Sequence, residues 1–237
     1  MTVTKQPRVH FSFRSPFSWL ALTVLRRRVP DLDRRVSFFP FWDPDPATTA
    51  ALHERGADFH YAQMSKAKHL YILHDTKRQA ARLGVAMRWP IDDDPWWEVP
   101  HLAWLRARRL GRARDFYDAA CAARWERGED ICTPAAVAGL ARTIGLDPQP
   151  LAAAVDVPDI RAEAVGCLVR AYEDDIFGIP YFRIGRHRFW GLDRVDDFAA
   201  ELRRTGPAPS EPAGEPVPAA AAVRVGAYDV DTAGGCG

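Results

Sequence analysis

Residues 8–25 read RVHFSFRSPFSWLALTVL, and this stretch decides the fold. Its first six residues, 8–13, alternate apolar and polar side chains, which predicts a β-strand. Ser15 then offers a hydroxyl for a helix N-cap, and Pro16 fills the first helical position, where proline is favoured. Apolar side chains continue at helical spacing until Pro30 ends the run. The stretch therefore predicts a strand that leads directly into a capped helix.

A second apolar run, VSFFPF at 36–41, is typical of a buried strand, so the chain begins with a βαβ unit whose strands are parallel. Helical patterns then predominate up to residue 177. The predicted helices span 47–54, 67–83, 101–110, 113–127, 134–144 and 159–177. Strand character returns at 181–184 and 187–190, and the Gly185-Arg186 turn between them predicts a hairpin. Asp193 is then placed to cap a final helix that runs through Leu202.

The order of elements is therefore βαβ, a helical block and ββα. The two outer parts are the halves of a thioredoxin fold, and a helical insertion between them is the DsbA-like variant. We expect an α/β protein with a thioredoxin-like domain formed by 8–42 and 178–204. The helical insertion domain occupies 43–177. The segment 205–237 is rich in proline and small residues, and we expect a disordered C-terminal tail.

The composition is that of an ordinary globular protein, with 47% hydrophobic and 27% charged residues. Because 32 basic residues face 31 acidic ones, we expect neither nucleic acid nor a membrane as a partner. The cysteines Cys121, Cys132, Cys167 and Cys236 form no CxxC pair, which argues against a dithiol oxidoreductase. No signal peptide or membrane-spanning run is apparent, and we expect a cytoplasmic protein. Metal-ligand and nucleotide-binding motifs are also lacking, so we expect no metal and no nucleotide cofactor.

Four short motifs stand out by their order and spacing along the chain. They are Phe13-Arg14-Ser15-Pro16-Phe17-Ser18-Trp19-Leu20-Ala21, the helix with Lys68, Tyr71, Asp75 and Arg78, Gly178-Ile179-Pro180, and Phe189-Trp190-Gly191-Leu192-Asp193-Arg194. Together they resemble the motifs of the 2-hydroxychromene-2-carboxylate isomerase family and the related kappa-class glutathione transferases, and the resemblance covers about residues 8–204. In that group a Ser-Pro pair stands where DsbA has the first cysteine of its CxxC, and the third motif resembles the group's cis-proline loop.

Ser15 is the candidate catalytic residue. A hydroxyl at a helix N-cap lies among unpaired N–H groups at the positive end of the helix dipole, and this environment stabilises an anion. A thiol bound there shifts toward the nucleophilic thiolate, and Ser15 would donate a hydrogen bond to its sulfur. Serine itself is a poor nucleophile here, because no His or Lys is paired with it in the sequence. The alternative is a plain Ser-Pro helix cap.

The resemblance implies glutathione or another low-molecular-weight thiol as cofactor. An Ala- and Arg-rich composition is typical of GC-rich bacteria, some of which use other thiols. Ile179 and Pro180 would pair with the extended peptide of the thiol, as in β-augmentation. Asp193 and Arg194 would hold its γ-glutamyl end, and Lys68 its glycyl carboxylate or an acidic substrate. The structural alternatives are a turn, a helix cap beside a surface arginine, and a solvated lysine.

A second group of residues is proposed for the substrate pocket. Adjacent tryptophans would wall a pocket for an aromatic substrate, although tryptophan also fills protein cores. Tyr71 shares a helix face with Asp75 and Arg78, so a structural polar cluster is the alternative for it. The pocket candidates are Phe17, Trp19, Tyr71, Trp96 and Trp97.

The leading functional hypothesis is a thiol-dependent cis-trans isomerase of a small unsaturated carbonyl compound or acid, aromatic or polyketide-like. The first alternative is a transferase that conjugates glutathione to an electrophile. The second is a non-redox DsbA-like binding or maturation protein in a biosynthetic pathway. It is motivated by residues 55–64, RGADFHYAQM, which lack the Asn and Pro-Pro usual in the family. The family also tends toward homodimers, which makes a homodimer possible here.

Overall fold

The centre of the fold is a four-stranded mixed sheet, seen in a computed structural model that describes residues 6–61 and 64–205. The strands lie in the order β2-β1-β3-β4. Strands β1 and β2 are parallel, whereas β3 is antiparallel to both β1 and β4. This topology confirms the predicted thioredoxin-like α/β class. The strands are β1 (Arg8–Phe11), β2 (Ser37–Pro40), β3 (Tyr181–Ile184) and β4 (His187–Trp190).

The two strands of the first half are shorter than predicted, for local reasons. β1 ends at Phe11 because the next backbone N–H, that of Ser12, donates to the Ser18 hydroxyl at 3.2 Å. β2 ends at Pro40, and one further bond, from the Phe41 N–H to the Phe11 carbonyl at 2.7 Å, joins the chain to β1 where β1 itself ends. The hairpin strands β3 and β4 have the predicted bounds.

Helices surround the sheet, and most of them lie between β2 and β3. In the described residues these are α1 (Pro16–Arg28), α2 (Leu32–Arg35), α3 (Pro46–Glu54), α4 (Lys66–Arg82), α5 (Glu98–Arg109), α6 (Ala113–Cys121), α7 (Pro134–Thr143), α8 (Pro148–Ala152), α9 (Pro158–Glu173) and α10 (Val195–Arg204). None of the helices formed by the described residues is long and apolar enough to cross a membrane.

The main differences between the predicted and observed helices lie at four places. The predicted helix 113–127 is divided, because α6 passes into a π-helix at Ala122–Arg127. The predicted helix 159–177 ends at Glu173, just before Asp175 takes a left-handed conformation with φ +55°. The short helices α2 and α8 escaped prediction because four or five residues are too few to show a helical period. The predicted tail lies outside the described residues from 206 onward.

The prediction that Asp193 caps the last helix is wrong. Leu192–Arg194 form a 3-10 turn, and Arg194 stands at the N-cap of α10 without a side-chain capping bond. The Asp193 carboxylate instead accepts a hydrogen bond from the Arg194 guanidinium at 2.8 Å. Since α10 begins two residues after Asp193, this carboxylate is left on the surface beside the β4–α10 connection.

The sheet and the inserted helices share one hydrophobic core. β1 is a central strand, and its residues Val9 and Phe11 are fully buried. The Phe11 ring lies edge-on to Trp104 of α5 and Tyr117 of α6, with ring centroids 5.0 and 5.2 Å away. Aromatic burial on this scale ties the helices to the strand that leads to Ser15.

A buried ionic cluster fastens the end of α9 to the sheet. The Asp174 carboxylate, 3% exposed, receives hydrogen bonds from Arg8 of β1 (2.8 Å) and from Arg183 of β3. The His10 imidazole lies 3.2 Å from the same carboxylate. Burial alone raises the pKa of the Asp174 carboxyl, but the His10 hydrogen bond and the Arg8 and Arg183 charges outweigh it and hold that pKa below its ordinary value.

Close packing also fixes the loop between α9 and β3. A Cβ on Gly178 would lie 2.6 Å from Nε1 of Trp190, so only glycine fits under the indole of β4. The Gly191 N–H donates to the carbonyl of Pro180 at 3.0 Å, and the Ile179–Pro180 peptide is cis. The two ends of the hairpin therefore hold the proline loop at the edge of the sheet.

Asp174→Asn tests the ionic cluster. We expect the free energy of unfolding to fall by about 3–5 kcal/mol, because the substitution leaves two largely buried guanidinium groups without a charged partner. The control is Asp175→Asn, which breaks an exposed pair with Arg188 at a left-handed position that asparagine tolerates. Urea denaturation should show a loss below about 1 kcal/mol for this control. Equal losses in the two variants would contradict the role given to the cluster.

Gly178→Ala tests the packing under Trp190. We expect a loss of about 1–3 kcal/mol in unfolding free energy, because the added methyl forces the indole or the loop to move. The control is Gly166→Ala within α9, where a Cβ meets nothing within 4 Å and alanine is the better helix former. Thermal unfolding should therefore show opposite shifts, and a neutral Gly178→Ala would be inconsistent with the packing.

Candidate active site

The turn that joins β1 to α1 is held by its own serines. The Ser12 N–H donates to the Ser18 hydroxyl, and the Ser12 hydroxyl accepts from the Arg14 N–H, both at 3.2 Å. The Ser15 N–H donates to the Ser12 carbonyl, also at 3.2 Å. Three of the four N–H groups of residues 12–15 are thus satisfied within seven residues of sequence.

The fourth N–H is satisfied by the helical insertion. The buried Phe13 N–H donates to Nε2 of His101, in α5, at 3.1 Å. Nδ1 of the same ring lies 2.6 Å from the carbonyl of Trp97, which can only accept, so Nδ1 carries the proton. Burial, together with the nearby Arg124 charge, lowers the pKa of His101 to about 3, and the ring is neutral at physiological pH.

Ser15 stands at the N-cap of α1, as predicted. Its Oγ accepts from the Ser18 N–H at 3.2 Å, and its backbone is extended, with φ −93° and ψ 113°. Because the oxygen acts as acceptor in that bond, the hydroxyl proton remains able to donate outward. Pro16 has no N–H, and no hydrogen bond of the described residues uses the N–H of Phe17. The helix start therefore offers two donors, the Ser15 hydroxyl and the Phe17 amide, at the positive end of the dipole.

The cis-proline loop lies beside this turn. β3 begins at Tyr181, which pairs with His10, so Ile179 and Pro180 come next to the end of β1 where the chain turns toward Ser15. The Pro180 carbonyl is bonded to Gly191, whereas no hydrogen bond within the described residues uses the N–H or carbonyl of Ile179. Ile179 thus presents a free backbone edge next to the helix start.

The charged candidates lie on the surface. Asp193 and Arg194 have side chains that are 72% and 53% exposed, and they pair with each other. Lys68 lies in the first turn of α4 with an exposed side chain, and no hydrogen bond or ion pair of the described residues involves its ammonium group. These groups are accessible to a ligand, and the Asp193–Arg194 pair would have to exchange partners to bind one.

The aromatic candidates divide into accessible and buried residues. Phe17 is half-buried, Trp96 is 38% exposed with its indole N–H on Asp45, and Tyr71 is 60% exposed beneath the Arg78 guanidinium. Trp19 and Trp97 are only 5% exposed and pack against other protein side chains, which agrees with the alternative of core filling. Tyr71, Asp75 and Arg78 form the polar cluster that was the alternative for Tyr71.

A cavity of about 350 Å³ lies along α1, one turn beyond Ser15. Trp19, Arg26 and Tyr117 line it, and Ser15 does not. Arg26 and Arg114 each bond both Asp33 and Asp118, so these two guanidinium groups are already paired with carboxylates. We therefore place the candidate site at the helix start and not in this cavity.

The described cysteines are buried and hold their protons near neutral pH. Cys121, Cys132 and Cys167 are all buried and unpaired. Burial raises the pKa of Cys121 to about 12 and that of Cys167 to about 11, and it raises the pKa of Cys132 as well. None of these three thiols is a thiolate near neutral pH. No three His, Cys, Asp or Glu side chains are grouped as metal ligands in the described parts of the chain.

Sequence reasoning missed three residues of the site. Ser12 and Ser18 flank Ser15 in the opening stretch, and their spacing on either side of a predicted cap was a usable signal. His101 carried no such signal, because it is 88 residues from Phe13 and only the folded chain brings the two together.

Comparison with known proteins supports the same framework. The chain is 30% identical over 199 residues to a 2-hydroxychromene-2-carboxylate isomerase from Sphingobium xenophagum, an alignment that covers 82% of this chain and 96% of that protein. A solved structure of a 2-hydroxychromene-2-carboxylate isomerase superposes with a TM-score of 0.65, 19% identity and coverage of 84% and 95%. A probable DsbA oxidoreductase from Streptomyces coelicolor superposes with a TM-score of 0.62, 20% identity and coverage of 90% and 98%.

A family model matches residues 8–203, from the first strand to the last helix. That match takes in the capped turn, the cis-proline loop and the helices between them. The chain belongs to the DsbA-like thioredoxin-domain family.

Proposed function

We propose that this protein is a cis-trans isomerase that depends on a bound low-molecular-weight thiol, glutathione or a similar compound. The proposed substrate is a small unsaturated carbonyl compound or acid, aromatic or polyketide-like. The relationship to a 2-hydroxychromene-2-carboxylate isomerase supports the reaction class. The capped turn at Ser15 supports the thiol.

The observation that carries the proposal is the unused hydrogen-bond donor of Ser15. Its oxygen is already bonded to the Ser18 N–H, and its proton is free at the start of α1. A thiolate sulfur is an acceptor and carries a negative charge, so it fits a hydroxyl and a backbone N–H at a helix N-terminus. Since the described cysteines hold their protons, the reactive sulfur would arrive with the cofactor.

The chain's own residues would bind the thiol and orient it. Ser15 and the Phe17 amide would stabilise the negative charge on the sulfur, which favours the nucleophilic form at neutral pH. Ile179 would pair its free backbone with the peptide of the thiol, next to the same helix start. Asp193 and Arg194 would take the amine and carboxylate at its γ-glutamyl end, and Lys68 the remaining carboxylate.

The chemistry of a bound thiolate accounts for the proposed isomerisation of the substrate. A thiolate held by Ser15 and the Phe17 amide would supply reversible addition to a conjugated double bond, with the displaced electron pair going to the carbonyl, so that the former double bond could rotate before the thiolate would be expelled. Half-buried Phe17 and exposed Trp96 are candidates to hold an aromatic substrate close to that sulfur. Their apolar surfaces would exclude water from the site.

Ser15→Ala tests the proposal. We expect thiol-dependent isomerisation of an α,β-unsaturated carbonyl compound to fall by about 100-fold or more, because the donor to the sulfur is lost. Helix capping is lost at the same time, which costs about 1 kcal/mol of stability. The measurement is the initial rate of isomerisation, monitored by absorbance, with and without added glutathione.

Thr133→Ala is the matched control for that experiment. Thr133 also precedes a proline at the start of a helix, and its hydroxyl accepts from the Ala136 N–H at 3.2 Å. It should lose a similar stability and keep full activity. Activity that persists in Ser15→Ala, or in wild type without any thiol, would refute the mechanism.

Product analysis and a thermal-shift measurement separate the alternatives. A stable thiol conjugate that accumulates in place of a rearranged substrate would identify a transferase. A wild-type protein whose melting temperature does not move with glutathione would instead favour a binding or maturation protein.

A further inference from the structure

We propose that His101 is a positioning residue for Ser15: it anchors the β1–α1 turn to the helical insertion and so sets where the Ser15 hydroxyl points. This inference rests on the proposed function. It adds a residue that no resemblance to other proteins suggested and that lies in α5, far along the chain from the turn.

The imidazole bridges two backbone groups from different parts of the fold. Nε2 accepts the Phe13 N–H at 3.1 Å, and Nδ1 donates to the Trp97 carbonyl at 2.6 Å. The ring is fully buried, and so is the Phe13 side chain. A buried N–H without an acceptor is costly, so the turn can keep its shape only while His101 supplies that acceptor.

Two layers of packing keep the ring in place. Trp42 stacks on the imidazole with ring centroids 5.1 Å apart and an interplanar angle of 17°. The Trp97 carbonyl accepts from Nδ1, and the buried Arg124 guanidinium lies over the Trp97 ring, with Cζ 4.7 Å from the ring centroid. Arg124 in turn makes two hydrogen bonds of 2.8 Å to the Asp92 carboxylate. A continuous set of contacts therefore links the π-helix, through Arg124 and Trp97, to the imidazole that holds the turn.

Electrostatics keeps the His101 ring neutral, the protonation state in which Nε2 can accept a hydrogen bond. A protonated imidazole would turn Nε2 from an acceptor into a donor and oppose the Phe13 N–H. Burial and the Arg124 charge disfavour that state, as the lowered pKa of His101 shows. The acceptor at Nε2 is thus present throughout the neutral pH range.

The consequence for Ser15 is geometric. Only Arg14 separates Phe13 from Ser15, and the other N–H groups of the turn bond within the turn or to Ser18. If the Phe13 N–H is released, the backbone of the turn loses its hydrogen bond to the insertion, and only side-chain contacts still join the two. The Ser15 hydroxyl would then move relative to a thiol held by Ile179. Displacements of about 1 Å are enough to slow a reaction about 100-fold.

The test compares three variants of the full chain. His101→Phe keeps an aromatic ring for Trp42 but removes both nitrogens, whereas His101→Gln keeps an amide that can accept and donate. Leu102→Ala is the control, because Leu102 is the next residue of α5, fully buried, and outside the hydrogen bonds of the turn.

We expect His101→Phe to lower kcat by about 10- to 100-fold with little change in the KM for substrate, since misplacement acts on the reacting groups. The pH at which kcat rises should move upward, because the sulfur is less well stabilised as thiolate. His101→Gln should recover part of kcat. Leu102→Ala should lose stability but keep the wild-type kcat and pH profile. A wild-type kcat in His101→Phe, or equal losses in Leu102→Ala, would overturn the inference.

Amide hydrogen exchange by NMR makes the result independent of activity and of the proposed function. The Phe13 amide should exchange at least about tenfold faster in His101→Phe than in wild type, while the Leu140 amide of α7 reports global stability. If wild type shows no thiol-dependent isomerisation but the Phe13 amide is released, the proposed function fails and the anchor stands. If the Phe13 amide is unchanged, the anchor fails whatever the activity.

Discussion

The fold depends on one requirement at the β1–α1 turn: four consecutive buried or half-buried N–H groups must each find an acceptor. Ser12 and Ser18, which are close to these groups in sequence, provide three of the four acceptors. The fourth acceptor is His101, which belongs to the inserted helices. The insertion is therefore part of the scaffold of the candidate site, because one N–H of the turn that carries Ser15 bonds to it.

The parts of the fold that were predictable are those specified by neighbouring residues. The Ser15-Pro16 cap and the hairpin strands follow from local turn chemistry, and the structure places them as expected. The Asp193 cap failed for the opposite reason, because a 3-10 turn intervenes and the carboxylate finds Arg194 instead. His101 and the Asp174 cluster join segments far apart along the chain, and neither periodicity nor spacing encodes such contacts.

The two long-range anchors, Asp174 and His101, join the helical insertion to the sheet by different interactions. Asp174 ties the last inserted helix to β1 and β3 through charges that are costly to leave unpaired. His101 ties α5 to the end of β1 through a neutral ring and two backbone groups. The charged cluster involves Arg8, His10 and Arg183, none of which belongs to the β1–α1 turn. The neutral anchor bonds to that turn and adds no charge of its own there.

The same geometry supports the proposed role of Ser15 as a hydrogen-bond donor and not as a nucleophile. A serine becomes nucleophilic when a base accepts its proton, and histidine is the usual base. His101 is the histidine tied to this turn, and both of its ring nitrogens are committed to backbone groups. Its pKa of about 3 also makes it a very weak base. With that base unavailable and the described thiols protonated, the Ser15 hydroxyl is suited to stabilise the negative charge of a thiolate sulfur. It is not suited to replace that sulfur as the nucleophile.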